Sequence, residues 1–279
     1  MHEFESPLKP ELAEITRVKT ETGSLKTFTV SFSDKKTLKK FSFAPGKFMM
    51  VSIFGFGEMP ISISSSPYQK HSLQLTVNAV GNISRAMHLL KTGDKIGLRG
   101  PFGRGYPIQR FRKKNIVFFS GGCGMASIRS AVYAVNAKKE LFGKLFLFHG
   151  CKSPQELLFR EDIEKWEKEG DFNIFVSVDN PTPDWKGYSG FPTDLIARAN
   201  LPVENTVVLL CGPQIMMNIA MQKFKDIGFK PEQFFVSMER LMHCGIGKCG
   251  HCNIGKEFVC VHGPVFSGTE LEKMHLAEG

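Results

Sequence analysis

The chain has 279 residues, 42% of them hydrophobic, and a formal net charge of +9 from 36 basic against 27 acidic side chains. That length suits two domains and an appendage, the composition excludes fibrous and disordered classes, and no apolar run reaches the roughly 18 residues of a membrane span. The basic runs at Lys35-Lys36, Lys39-Lys40 and 110–114 lack the interleaved aromatics of a nucleic-acid module, so they read as solvated surface or as attraction for phosphate-bearing cofactors and an acidic partner subunit.

The opening Met-His-Glu-Phe-Glu has neither the basic nor the apolar region of a secretory signal, so a cytoplasmic location is expected. From residue 11 to about 105, β-rich runs at 25–32, 48–54, 61–65, 73–79 and 95–99 alternate with turns at Pro45-Gly46, 55–60 and Thr92-Gly93-Asp94. This rhythm predicts a small antiparallel β-barrel or sandwich. One helix interrupts it, over 84–90, with Ser84 as the N-cap after Gly81-Asn82-Ile83, so its first-turn amides face an incoming anion.

After 110–115 the pattern changes to buried strand, glycine turn, helix. Strands over 116–119, 144–149, 172–178 and 206–211 alternate with helices over 126–137, 156–169, 193–200 and 215–227, which predicts a parallel, doubly wound α/β sheet. A short strand at 234–237 precedes a cysteine-rich loop, and the last dozen residues are expected to fray. The divisions are therefore 1–108 for the β domain, 109–238 for the α/β domain and 239–279 for the extension.

Two glycine turns carry the nucleotide expectation. Ser120-Gly121-Gly122-Cys123-Gly124-Met125 joins a strand directly to a helix, where an open parallel sheet binds nucleotides, although it lacks the strict G-x-G-x-x-G pattern. Cys211-Gly212-Pro213-Gln214 repeats the context at a later strand end, so the two loops should face each other across one crevice. Cys123 and Cys211 either tune that crevice or pack at tight turns. Lys152, after a parallel strand, is either an exposed lysine or a partner for a ribose 2'-phosphate.

Cys244, Cys249, Cys252 and Cys260 are separated by four, two and seven residues, the manner of a plant-type [2Fe-2S] site. Gly245, Gly247 and Gly250 leave the backbone free to wrap a cofactor and aim amides at its sulfurs. A structural zinc site is the alternative, since it too can begin with a C-x2-C knuckle; zinc ribbons, however, pair two such knuckles across a long gap. An odd total of seven cysteines disfavours a disulfide framework, and His243, His251 and His262 read as exposed neighbours of a complete ligand set.

The motifs Pro60-Ile61-Ser62-Ile63-Ser64, Gly81-x-x-Ser84, Gly100-Pro101-Phe102-Gly103, Gly121-Gly122-Cys123-Gly124, Cys211-Gly212-Pro213 and the 238–252 cysteine segment, closed by Cys260 and its neighbours to Val265, occur in the order found in the ferredoxin-NADP reductase superfamily. The chain resembles the branch with a C-terminal [2Fe-2S] extension, which contains sulfhydrogenase gamma subunits and the corresponding subunits of anaerobic sulfite reductase and of dihydroorotate dehydrogenase, the last known as its electron-transfer subunit. The resemblance implies an FAD-binding β-barrel, a domain for NAD(P)H as substrate, and a cluster loop packed between them. It implies that Pro60, Ile61, Ser62 and Ile63 line the flavin and that Gly81, Asn82, Ile83 and Ser84 present amides and a hydroxyl to the FAD diphosphate. Gly121, Gly122, Gly124, Cys211, Gly212 and Pro213 would border the nicotinamide nucleotide.

Met59 stands where the family usually has a flavin-phosphate arginine, Ser127 stands where relatives often have proline, and the gap before Cys260 is shorter than in many relatives. The expected function is a diaphorase subunit that moves electrons between NAD(P)H and a partner, a hydrogenase or sulfite reductase core. The alternatives are a non-enzymatic iron-sulfur adaptor and the dihydroorotate dehydrogenase subunit. A flavin between the other two centres has a chemical logic, because nicotinamide delivers a hydride whereas a cluster accepts single electrons.

Overall fold

The structure, a computed structural model, describes residues 6–276. The expectation of a leaderless start at 1–5 and the last three residues of the expected frayed end lie outside them. Six antiparallel strands form the first sheet: β1 (Glu11–Thr20), β2 (Leu25–Phe32), β3 (Phe48–Ile53), β4 (Gly57–Ser62), β5 (Leu73–Asn78) and β6 (Lys95–Phe102), in the order β4-β3-β6-β1-β2-β5. A bridge between Ile63, just past β4, and Leu75 on β5 brings the two edges together. Alternate residues such as Ala13, Ile15, Phe28, Val30, Met49 and Val51 fill the interior. The continuous apolar run of β3 has a second use, because Phe48 and Met50 on its other face join a core shared with the rest of the chain.

Three local expectations are corrected here. The strand expected at 61–65 begins at Gly57, because the turn contracts to Phe54-Gly55-Phe56, with Gly55 at φ 84°, and all six residues of β4 pair with β3. A helix absent from the sequence reading, α1 (Lys35–Lys40), forms where Asp34 accepts from the Thr37 amide at 2.7 Å. The helix expected at 84–90 is α2 (Asn82–His88), and Gly81, not Ser84, is its N-cap. Ser84 lies in the first turn and folds back, its Oγ accepting from the Gly81 amide at 2.9 Å and donating to the Gly81 carbonyl at 3.0 Å.

The second sheet contains β7 (Asn115–Gly121), β8 (Leu145–Cys151), β9 (Phe172–Val178), β10 (Tyr188–Ser189), β11 (Thr206–Cys211) and β12 (Phe234–Ser237), all parallel, in the order β10-β9-β8-β7-β11-β12. β8 and β11 are buried at every position, as strands covered on both faces must be. α3 (Met125–Asn136) and α4 (Arg160–Glu169) cover one face, where Ile128, Val132 and Trp166 meet Phe118 and Leu147. α5 (Gln214–Asp226) covers the other, packing Met217 and Phe224 near Phe119 and Phe148. The sheet is doubly wound.

Two helices differ from expectation. α4 starts at Arg160 because Leu157, Leu158 and Phe159 are buried in succession, with Phe159 at φ 56°, so no single helical face can present them. The span 193–200 is two short 3-10 turns, Pro192–Leu195 and Ala197–Ala199, ended by Asn200 at φ 45°.

After the cysteine-rich loop come a small hairpin, β13 (Asn253–Ile254) and β14 (Glu257–Phe258), a single turn α6 (Val259–His262), and β15 (Val265–Ser267), which pairs antiparallel with β12. The expected frayed end is instead α7 (Gly268–Leu276), anchored by buried Leu271 and Met274. Among the described residues no helix is long and apolar enough to cross a membrane.

Candidate functional site

The two glycine turns meet. β7 and β11 are neighbours in register, Ser120 opposite Cys211, so both turns leave the same end of the sheet. A Cβ on Gly124 would lie 2.6 Å from both the Cys211 carbonyl carbon and the Gly212 amide nitrogen, and one on Gly212 would lie 2.6 Å from Met216 Cε. Gly121, Gly122, Gly124, Cys211, Gly212 and Pro213 therefore share one rim, the position where open parallel sheets take nucleotides. Cys211 is buried, and desolvation pushes its thiol up to about 12, with the Glu239 carboxylate adding to the shift. Cys123 is exposed on one side, yet desolvation and Glu239 raise its thiol too. Both cysteines are thus held as neutral thiols, and Glu239, which the sequence reading passed over, stands beside them.

On the first sheet Pro60, Ile61 and Ser62 are half-buried along β4, and Ile63 is fully buried just beyond. The β3–β4 hairpin rests on α2: a Cβ at Gly57 would meet Ile83 Cδ1 at 3.1 Å. Strand 60–63 and turn 81–84 are consequently adjacent. The Ser84 hydroxyl and the Gly81 amide are engaged with each other, which leaves the amides of Asn82, Ile83 and Ser84 as the turn's donors.

The cysteine loop lies between the two sheets. Gly245, Gly247 and Gly250 all take φ between 72° and 79°, a left-handed bend that favours glycine. Their bending turns amides onto sulfur: Gly247 N donates to Cys260 Sγ at 3.1 Å, Lys248 N to Cys244 Sγ at 3.3 Å and Ile246 N to Cys244 Sγ at 3.4 Å. Among the described residues no three or more His, Cys, Asp or Glu side chains form a group that could hold one metal ion. Cys244 neighbours Cys249, and Cys260 neighbours both Cys252 and Cys244.

Four thiols at this spacing are the number a two-iron cluster takes, two terminal thiolates on each iron. The Cys249 thiol, receiving the His251 amide, is lowered to about 7, whereas burial pushes Cys260 up to about 12. Cys252 and Cys260 are buried in the apolar core that also holds Phe48 and Met50 of β3 and Met238 and Met242, while Cys249 is exposed. His243 and His251 are exposed and meet edge to face at 4.3 Å, and His262 is exposed as well.

Three arginines that the sequence reading missed hold these parts together. Arg129 of α3, only 8% exposed, donates to Asp162 Oδ2 and to Gln74 Oε1 on β5, both at 2.6 Å, and so fastens the nucleotide helix to the first sheet. Arg104 donates from Nε to the Val265 carbonyl at 3.0 Å and forks onto Glu270 with two bonds of 2.8 Å. Arg99 reaches the carbonyl of Cys244. For Arg99 and Arg129 the only local signal was a charged residue in an otherwise apolar strand or helix face; Arg104, exposed in a glycine-rich turn, had none.

Fold and site define a class: a two-domain reductase with an appended iron-sulfur loop. The Oxidoreductase NAD-binding domain family matches residues 118–222, and the Iron-sulfur cluster binding domain of dihydroorotate dehydrogenase B matches residues 239–272. Sulfhydrogenase 2 subunit gamma of Pyrococcus furiosus is 36% identical, across 94% of this chain and 96% of that protein. A probable dihydroorotate dehydrogenase B (NAD(+)) electron transfer subunit of Methanocaldococcus jannaschii is 34% identical, across 95% and 92%.

Among solved structures, an NADH-dependent reduced ferredoxin-NADP oxidoreductase aligns over 99% of this chain and 95% of that chain, with a TM-score of 0.74 at 22% identity. A ferredoxin NADP+ reductase of Neisseria gonorrhoeae, solved with FAD and NADP, aligns over 83% and 98%, with a TM-score of 0.70 at 22% identity. The chain has the fold of the ferredoxin-NADP reductases and belongs to the family of sulfhydrogenase gamma subunits and dihydroorotate dehydrogenase B electron-transfer subunits.

Proposed function

We propose that this chain is a diaphorase subunit that exchanges hydride with NAD(P)H and relays electrons to a partner redox subunit, a hydrogenase or sulfite reductase core. The observation that carries the reading is the shared apolar core. It holds Cys252 and Cys260 against the outer face of β3, next to the proposed flavin strand, while Cys249 reaches the surface. When bound, FAD would supply a centre that takes a hydride and yields electrons singly, and a [2Fe-2S] cluster would supply a one-electron outlet.

This chain's own residues do the positioning. Pro60 to Ile63 and the amides of the 82–84 turn, without the Ser84 hydroxyl, hold the flavin against the outside of the antiparallel sheet, whose interior is filled by side chains. The paired glycine turns at 121–124 and 211–213 let a nucleotide diphosphate approach the backbone. Cys211, Cys123 and the packed phenylalanines beneath them keep the nicotinamide end dry. Cys244, Cys249, Cys252 and Cys260 ligate the cluster, with amides 246 to 248 supporting the sulfurs. The divisions 1–108, 109–238 and 239–279 assign one cofactor to each part, although β15 returns to the nucleotide sheet.

Anaerobic purification is expected to yield one FAD, two irons and two inorganic sulfides per chain. Flavin, iron and sulfide analysis checks it. A zinc-only preparation overturns the cluster, and an iron-loaded preparation that neither holds flavin nor binds nucleotide makes the chain an adaptor.

Lys152 follows β8 and is exposed; burial raises the nearby Asp179 carboxyl, and the Lys152 charge only lessens that rise. We read it as the candidate partner for a ribose 2'-phosphate, against a merely exposed lysine. Lys152→Ala is expected to raise the KM for NADPH by about tenfold, worth about 1.4 kcal/mol, and to leave that for NADH unchanged. Equal effects on both nucleotides would remove Lys152 from the account.

A further inference from the structure

One buried ion pair stands between the β3–β4 hairpin and the cysteine loop. Arg99 lies on β6, on the face opposite Ile96 and Leu98, and is only 5% exposed. Its Nε donates to Glu58 Oε1 at 2.8 Å and its Nη2 to Glu58 Oε2, while Nη1 donates to the carbonyls of Cys244 and Pro7, each at 3.0 Å. Glu58 also accepts from Ser52 Oγ at 2.8 Å. Burial alone would push the Glu58 carboxyl up, but the hydrogen bonds from Arg99 and Ser52 outweigh it and hold the group below its ordinary value.

The pair therefore joins three elements. Glu58 belongs to β4, two residues before Pro60; Arg99 belongs to β6; the Cys244 carbonyl belongs to the loop. The next loop residue, Gly245, is seated by contact, since a Cβ there would lie 2.9 Å from Met50 Cγ and 3.1 Å from Phe102 Cδ2. The Arg99 guanidinium in turn lies 5.5 Å from the Phe102 ring centre. Desolvating a guanidinium and a carboxylate costs several kcal/mol for each ion, so apolar packing would seat this loop at lower cost. What apolar packing cannot supply is a fixed fork of donors and a fixed positive charge beside a thiolate-ligated cluster. The charge bears on cluster potential, and the fork fixes where the Cys244 backbone stands.

We propose that Arg99 is a positioning residue for internal electron transfer: it clamps the Cys244 corner of the cysteine loop to β4 and keeps a positive charge beside the cluster. This rests on the cluster reading above. The placement of Arg99 sets both the separation of flavin strand and cluster and the local charge. Removing it leaves the Glu58 carboxylate uncompensated, which disfavours the reduced cluster.

The test begins with wild-type protein assayed for flavin and iron, because a wild type lacking either defeats the electron-transfer reading itself. In Arg99→Met, bleaching of the flavin by NAD(P)H is expected to persist, the cluster midpoint potential to move negative, and flavin-to-cluster transfer to slow by about tenfold or more. Arg99→Lys keeps the charge and loses the fork, so its potential should return toward wild type while its transfer stays slow. An iron-loaded Arg99→Met with unchanged potential and unchanged transfer overturns the proposal. So does a pair of variants that lose thermal stability alone. If Arg99→Met fails to fold, Arg99→Lys decides: a wild-type transfer rate there removes the clamp.

Discussion

Replacing Cys252 by Ser is expected to leave reduction of the bound flavin by NAD(P)H intact while electron delivery to the partner falls by orders of magnitude. Cys252 is buried at 2% exposure among Phe48, Met50 and Met242, and it neighbours Cys260. A serine oxygen is a harder and shorter ligand than a thiolate, so one of the four cluster bonds is weakened. Burying the hydroxyl in apolar surroundings costs a further 1–3 kcal/mol or so. The turns at 121–124 and 211–213 lie on β7 and β11, whose register does not involve Cys252, so the nucleotide rim should be preserved. Stopped-flow bleaching on a folded, FAD-loaded variant decides the matter. Intact bleaching with lost partner reduction supports the relay, and loss of bleaching would mean that the loop is a staple for the flavin site.

Gly124→Ala is expected to raise the KM for NAD(P)H by roughly tenfold or more, without changing reduction of the flavin by dithionite. Gly124 has φ −58°, an ordinary helical value, so the substitution brings no backbone strain and its effect is steric alone. The added methyl would press on the backbone of Cys211 and Gly212, which cannot rotate away, and overpacking of this kind costs about 1–3 kcal/mol. That force separates the two turns that form the crevice. Gly121→Ala is the comparison, since its methyl would meet the flexible Met216 thioether, and a smaller effect is expected. A Gly124→Ala protein with wild-type KM would sink the assignment of this junction to the nucleotide.

The parallel domain was legible because its strands are uniformly apolar and its glycine turns sit at strand ends, both of which are local patterns. The strands at 172–178, 206–211 and 234–237 coincide with β9, β11 and β12, and in the antiparallel sheet 25–32 coincides with β2. The cysteine spacing likewise carried its own chemistry. What failed was decided elsewhere in the chain. The β3–β4 turn contracted because β3 offered six pairing residues, so Gly57 and Pro60 entered a strand that their own propensities oppose. α1 has no buried residue and hence no apolar periodicity to read. Arg99, Arg104 and Arg129 were invisible for a related reason. Their acidic partners lie from 33 to 166 residues away along the chain, Asp162 for Arg129 and Glu270 for Arg104 being the two extremes, and such pairings leave no mark on neighbouring sequence.

The return of β15 to β12 bears on how the cysteine loop is held. The segment 238–264 leaves the nucleotide sheet at Ser237 and rejoins it at Val265, where the ladder resumes with Ser237 opposite Val265. Both ends of the cysteine loop are therefore closed by backbone pairing that requires no iron. Closing a loop of this length costs an entropy that grows only slowly with each added residue, and here that cost is met by the sheet and by α7. The segment that carries the four thiols is thus held at both ends by the sheet, and only the thiols between those ends need to move to meet a cluster.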